Sequence, residues 1–522
     1  MDFNRVVLFI NTIKYLKFKQ IIYRFIFVFK KYFIRLNFRN KNFQTSKIVW
    51  RDYIYKNREY LGSNTFRILN RTVKFTNHID WNYQELGKLW TYHLNYFAFL
   101  NQKDIIKYEA LRIINNYVDS SQNLNYGKDS YPISLRGLNW IKFLSKNKIK
   151  NKRIDNFLYN DYNRLFNNFE YHLLGNHLLE NAFSLFFASI YFKKNKFKLK
   201  AIKVLKAELE EQILDDGSHF ELSSTYHIII FERLLDTLLL VELNNYCKDI
   251  YPFLFEKASL MWSYLNKISF KNGDIPSLND SINNSLSLDR FKKYCKVLKI
   301  KNSNTKLSQS GFRKWEFDDF ELLFDIGEIG PSYIPGHAHA DTFNFILYYK
   351  KNPLIIDIGV STYEINDKRN FEKSTLGHNT ISINGKNSSE IWSSFRVGDR
   401  ASVEIVKETK NKIIASHNGY RKIKVKHSRT FEKNKNTLKV LDEIVMKKND
   451  KAYSSLYFDS KCNPTINNNI VSIYDLRIIL TNHFNIKLEK IQIPDKGFNS
   501  LKNSYRLVSQ VKINSSISFK KV

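Results

Sequence analysis

The chain has 522 residues, 43% hydrophobic and 15% aromatic, with a formal net charge of +33. That composition excludes a disordered chain and leaves room for two or more domains with cores of their own. The charge points to a polyanionic partner (nucleic acid, anionic lipid or acidic polysaccharide) without choosing among them.

Eight prolines and 17 glycines are few for an all-β protein full of tight turns, so a large helical part is expected. Zinc-finger spacing, an RNA-recognition signature and a P-loop are all missing, and no nucleic acid is expected as partner. Cys247, Cys295 and Cys462 are too scattered for a disulfide framework or a cysteine-based metal site.

Residues 1–45 read as a basic, aromatic N-terminal arm. The patch Val6–Ile10 is interrupted by Lys14, Lys17, Lys19 and Arg24, and no small-residue cleavage site follows. No apolar run approaches the roughly 20 residues of a membrane span. Two readings fit: a basic amphipathic segment on an anionic membrane surface, and a helical arm packed on the domain behind it.

From 46 to 302 the pattern is helical. Phe183, Phe186, Phe187 and Ile190 follow the i, i+3, i+4, i+7 template, and Ile228–Leu240 is a longer apolar run. Short polar breaks separate helix-length segments, which predicts helical hairpins in a bundle or a closed (α/α) toroid. Lys301–Ser310 reads as a linker. Over 311–522 alternation takes over: Phe320–Phe324, Pro353–Ile358, Thr380–Ile383, Ala401–Val406, Lys422–Val425 and Leu438–Val445 look like strands of an antiparallel β-sandwich. Helices first and strands second means two domains.

Chemistry concentrates in a few stretches. In Gly336–Asp341, His337 and His339 lie two apart before a β-branched and aromatic run. Placed on a strand, they would share a face with Asp341 and could hold a metal or transfer a proton. In Leu174–Asn181, helical spacing puts Asn176, His177 and Glu180 on one face, where Glu180 could orient His177. Tyr226 sits at the start of a long apolar helix, whose dipole would favour phenolate. Asp357 ends a buried-looking strand, Tyr363 follows, and His378 enters another strand. Each has a bland alternative: solvent-facing histidines, a capping network, an N-cap at Ser223 or Ser224, or unrelated polar residues.

Taken in order, several of these stretches resemble the heparinase II/III-like polysaccharide lyases. They are Leu89–Tyr96, Tyr131–Arg136, Gly175–Asn181, Phe220–Tyr226, Gly336–Asp341, Asp357–Tyr363 and Gly377–Thr380. The resemblance implies an N-terminal (α/α) toroid followed by a C-terminal antiparallel β-sandwich. It also implies β-elimination of uronate-containing chains, with an acidic polysaccharide or oligosaccharide as partner. Asn176 and His177 would neutralise the uronate carboxylate, with Glu180 supporting His177. Tyr226 would act as base, acid or both, and His337 would take the proton from the opposite sugar face. His339, Asp357 and His378 match positions that hold a structural zinc ion in some members. Tyr363 and Arg136 would contact substrate. The basic arm suggests a role in a bacterium's own envelope polysaccharide. The alternative from another class is a non-catalytic glycan-binding or assembly protein of the envelope.

Overall fold

The computed structural model describes residues 3–33, 43–282 and 287–522. The arm is described up to Phe33, and its expected continuation through 34–42 lies outside the described residues. It forms two helices, α1 (Phe3–Ile13) and α2 (Phe18–Phe33). The aromatic stretch after it folds into a small antiparallel sheet, Tyr60–Gly62, Thr65–Ile68 and Arg71–Lys74.

The helical part follows: α3 (Lys88–Tyr96), α4 (Lys107–Asp119), α5 (Ser130–Lys146), α6 (Lys152–Asn167), α7 (Gly175–Tyr191), α8 (Asn195–Gln212), α9 (Ser224–Asn244), α10 (Tyr251–Ile268) and α11 (Asp289–Val297). Helices α3, α5, α7 and α9 pack one on the next as an inner layer. Around them, α4 packs on α6, while α6, α8 and α10 back α5, α7 and α9. This is the double-layered arrangement of an (α/α) toroid. The sequence explains the layering. Every residue of α7 except His177 is buried, as an inner helix requires. In α8, Phe197, Ala201, Leu205 and Leu209 form one buried stripe. Asn151 starts α6 by accepting from the backbone N–H groups of Arg153 and Ile154.

The sheet part opens at Phe312. Strands Phe312–Phe317, Phe320–Asp325, Phe345–Tyr349 and Asn352–Ile355 make a consecutive antiparallel sheet. A larger antiparallel sheet lies against it, built around the long pair Leu476–Asp495 and Gly497–Lys521. Inward side chains of both sheets form one core. Phe324 meets Phe431 with ring centroids 4.3 Å apart, and Leu322, Phe345, Val440, Ile478 and Phe519 are buried in the same cluster. Between the sheets' strands lies α12 (Asp367–Lys373), whose Phe371 packs against Ile356, Ile358, Tyr457 and Ile493.

Three strand expectations are corrected. Lys422–Val425 straddles a 3₁₀ turn (Arg421–Ile423) that leads into the strand Lys426–Lys433. The strand expected over Pro353–Ile358 ends at Ile355. The strand after the histidine pair begins only at Phe345, so His337 and His339 lie on irregular backbone rather than on a pleated face.

Candidate active site

The N-terminus of α7 forms one wall of a cleft. Gly175 has φ +56°, and a Cβ there would come within 2.7 Å of Glu221 Oε1, so only glycine admits the acid this close. Glu221 accepts hydrogen bonds from the Asn176 backbone N–H at 3.1 Å and from Asn176 Nδ2 at 3.0–3.1 Å. His177 turns the other way, and a third of its side chain is exposed. Its Nδ1 lies 3.3 Å from Glu170 Oε1, and its ring packs 4.4 Å from Tyr131. Asn181 holds Glu170 in place: its Nδ2 donates to Glu170 Oε2 at 3.0 Å, and its Oδ1 accepts from the Glu170 backbone N–H at 2.9 Å. Packing around the imidazole favours the neutral form, but the Glu170 carboxylate outweighs this and raises the His177 pKa above the ordinary value.

Tyr226, in the first turn of α9, faces Tyr363 from the sheet part, with the two hydroxyls 3.2 Å apart. The His337 ring stacks on Tyr226 at 3.8 Å between centroids. His337 Nδ1 lies 3.0 Å from Asp280 Oδ2, so it carries the proton and donates to the carboxylate. That leaves Nε2, 3.9 Å from Glu221 Oε2, to face the cleft. Asp280 is a hub. It also accepts from His339 Nε2 at 2.8 Å and from both terminal nitrogens of Arg369. Burial works against its charge, but Arg369 and the two histidines hold its carboxyl well below the usual range.

The structure therefore brings His177, Tyr226, His337 and Tyr363 together where the helical and sheet parts meet, with Asn176 buried on Glu221 beside them. Three other expectations are corrected. Glu180 does not support His177: it is fully buried and binds Arg233 Nε through both oxygens at 3.0 and 2.9 Å. Helical spacing placed Glu180 correctly on α7, but an inner helix turns that face into the core, and Glu170 from the preceding loop takes the role. Arg136 does not reach the cleft. Its guanidinium is buried against Asp161 and the Gly127 carbonyl. The helix dipole does not yield a phenolate at Tyr226, because burial and then the Tyr363 hydroxyl push its pKa well above the ordinary value.

The expected metal residues also meet. His339 Nδ1 and His378 Nε2 lie 3.2 Å apart. Two ligands on a tetrahedral zinc would be separated by roughly that distance, since Zn–N bonds are about 2.0–2.1 Å. The outer nitrogens are each fixed by a carboxylate, His339 by Asp280 and His378 by Asp357 at 3.0 Å. Asp341 joins them: donor atoms of Asp341, Asp357 and His378 lie within 4.8 Å of one another, all buried. Burial and the neighbouring Asp357 raise Asp341 to about 6, although His378 opposes this. Buried carboxylates packed this closely suit a divalent cation, so the residues fit zinc.

Fold and site together define a class: a helical toroid joined to an antiparallel sandwich, with tyrosine and histidine side chains of both parts meeting where they join. The chain belongs to the heparinase II/III-like family. The family's sequence models match over residues 132–307 (Heparinase II/III N-terminus) and 300–505 (Heparinase II/III-like, C-terminal). A heparin-sulfate lyase of Bacteroides stercoris is 23% identical over 249 residues, 42% of this chain and 37% of that protein. One of Pedobacter heparinus is 25% identical over 244 residues, 41% of this chain and 36% of that protein. The matched stretches thus span little more than a third of these curated relatives. Among solved structures, a heparinase III aligns with TM-score 0.66 at 17% identity, covering 90% of this chain and 82% of that one. The heparan sulfate lyase of Pedobacter heparinus aligns with TM-score 0.58, also at 17% identity, covering 88% and 82%. These likenesses establish the shared fold.

Proposed function

We propose that the protein is a polysaccharide lyase that breaks uronate-containing acidic glycans by β-elimination. The observation that carries this reading is the convergence of Tyr226, His337 and a His177 whose positive charge Glu170 favours. Elimination needs a neutralised carboxylate, a base for the C5 proton and an acid for the leaving O4. His177 lines the wall where a uronate carboxylate would bind, while the expected second neutralising group, the Asn176 amide, is buried on Glu221. His337, with Nδ1–H tied to Asp280, presents the Nε2 lone pair as base. Tyr226 keeps its proton at rest, and the departing O4 alkoxide is basic enough to take it. The C5 proton passes to Nε2, and the C5–H electron pair is taken up by the neutralised carboxylate. That pair forms the C4–C5 double bond as the C4–O4 bond breaks, and O4 takes the Tyr226 proton. Tyr363 would orient the Tyr226 hydroxyl and touch the sugar.

The net charge of +33 supports a polyanionic substrate. A bacterial envelope polysaccharide and contact of the basic arm with a membrane surface fit the same charge. A structural zinc ion would be held by His339 and His378 with the Asp341 carboxylate, while Asp357 fixes the His378 ring through its other nitrogen; no step of the elimination runs through it. Mass spectrometry of products from a panel of acidic glycans tests the reading. Elimination gives fragments lighter by one water than hydrolysis would. Heavier, hydrated fragments, or binding without any cleavage of the host's own surface glycan, would refute it.

A further inference from the structure

We propose that α1 and α2 form an anchor that lies in the plane of an anionic lipid bilayer. The inference stands on observations separate from the lyase reading. Helix α2 is packed inside out. Its inward side carries buried Gln20, whose Oε1 accepts from the Lys17 backbone N–H at 2.9 Å. Tyr23 lies on Tyr171 with centroids 4.7 Å apart, Phe27 stacks on His172 at 4.2 Å, and Lys30 Nζ donates to the Asn167 carbonyl at 2.8 Å. The outward side is apolar: Phe18 is 76% exposed and Phe25 72%, with Ile21, Ile22, Ile26 and Val28 on the same face. These positions recur at i, i+3, i+4, i+7, i+8 and i+10, a single helical stripe.

Helix α1 adds exposed Phe9, Ile10 and Ile13, while Asn11 donates to Glu390 and Thr12 accepts from Trp392 Nε1. The arm is thus fixed to both domains with its apolar side turned away from them. Soluble monomers rarely leave so large a contiguous patch uncovered. The charge says what covers it. Residues 3–33 contain seven Lys or Arg and no Asp or Glu, and exposed Lys19 and Arg24 border the α2 stripe on its two sides. An apolar stripe edged by cations is the pattern of a helix lying at the level of anionic headgroups. Among the described residues, no helix is long and apolar enough to cross a membrane, so the contact is with the surface. The loop that supports α2 through Tyr171 and His172 also carries Glu170, the partner of His177. An anchored enzyme would therefore hold one rim of its cleft close to the bilayer.

The test is flotation of the full chain with phosphatidylcholine vesicles, with and without phosphatidylglycerol, beside light scattering of the free protein. The wild type is expected to float with the anionic vesicles, less so as salt is added. The double variant F18S/F25S, at two exposed positions, should lose binding about tenfold or more while keeping its thermal midpoint. Failure of the wild type to float, or equal flotation of the variant, would overturn the proposal. A dimer that F18S/F25S dissociates, with no vesicle binding, would also overturn it and assign the stripe to a second copy of the chain.

Discussion

Asp280 joins two histidines and Arg369, and its hydrogen bond decides which His337 nitrogen faces substrate. Replacing Asp280 by Asn should lower kcat by about 10²-fold or more with little change in KM, because the ring loses its fixed tautomer rather than its place in the cleft. Equal loss in KM would mean a merely structural role. Glu170→Gln tests the other wall. The raised His177 pKa means that the pair stabilises the fold fully below the unfolded imidazole value of about 6.5. That stability is lost as pH rises through the higher folded value. The variant should give up that contribution and move the basic limb of kcat/KM to lower pH. An unmoved limb would remove His177 from the binding of the carboxylate. Neither Asp280 nor Glu170 was legible in the sequence. Each comes from a short connecting segment without periodicity, and each becomes functional only when distant chain packs beside it. Glu221 lay inside a stretch that sequence reading singled out, yet nothing local showed that it would cap Asn176 across the cleft.

Elements were read more reliably than the contacts they make. The periodicity of α7 and the apolar run of α9 located the helices that carry Asn176, His177 and Tyr226, because long amphipathic or fully apolar patterns report backbone state directly. The same pattern could not say which face of α7 an inner layer would bury, and so Glu180 was paired with the wrong residue. On α5, Arg136 illustrates the same limit. Its motif suggested substrate, whereas the fold spends it on Asp161 in the core. Arg136→Ala should therefore cost about 3–5 kcal/mol of stability, seen as a lowered thermal midpoint, by leaving Asp161 buried and unpaired. A folded variant with normal stability and a raised KM would restore Arg136 to the substrate site. In the sheet part, the alternating strands that form the sandwich core were readable. The segment around His337 was not: aromatic and β-branched residues extended the apparent strand upstream of Phe345, where the backbone is irregular.

At the scale of the whole molecule, the switch from helical to alternating pattern near residue 305 announced the two-part architecture. The pairing of those parts into one cleft could be anticipated only through family resemblance. The proposed zinc ion acts at this scale. Purified protein should hold about one equivalent of zinc, and chelation or His378→Ala should lower the thermal midpoint. Elimination by the molecules that stay folded should persist, since no proton-transfer residue would ligate the ion. A metal-free preparation of unchanged stability would reject that assignment. The most direct measurement of the central claim is ultraviolet absorbance during incubation with uronate-containing polysaccharides, the host's own surface glycan among them. A C4–C5 double bond conjugated to the carboxylate absorbs strongly, and the account predicts a steady rise that Tyr226→Phe reduces by about 10²–10⁴-fold in folded protein. A rise that survives in Tyr226→Phe at the wild-type rate, or glycan depolymerised with no absorbance at all, would contradict it.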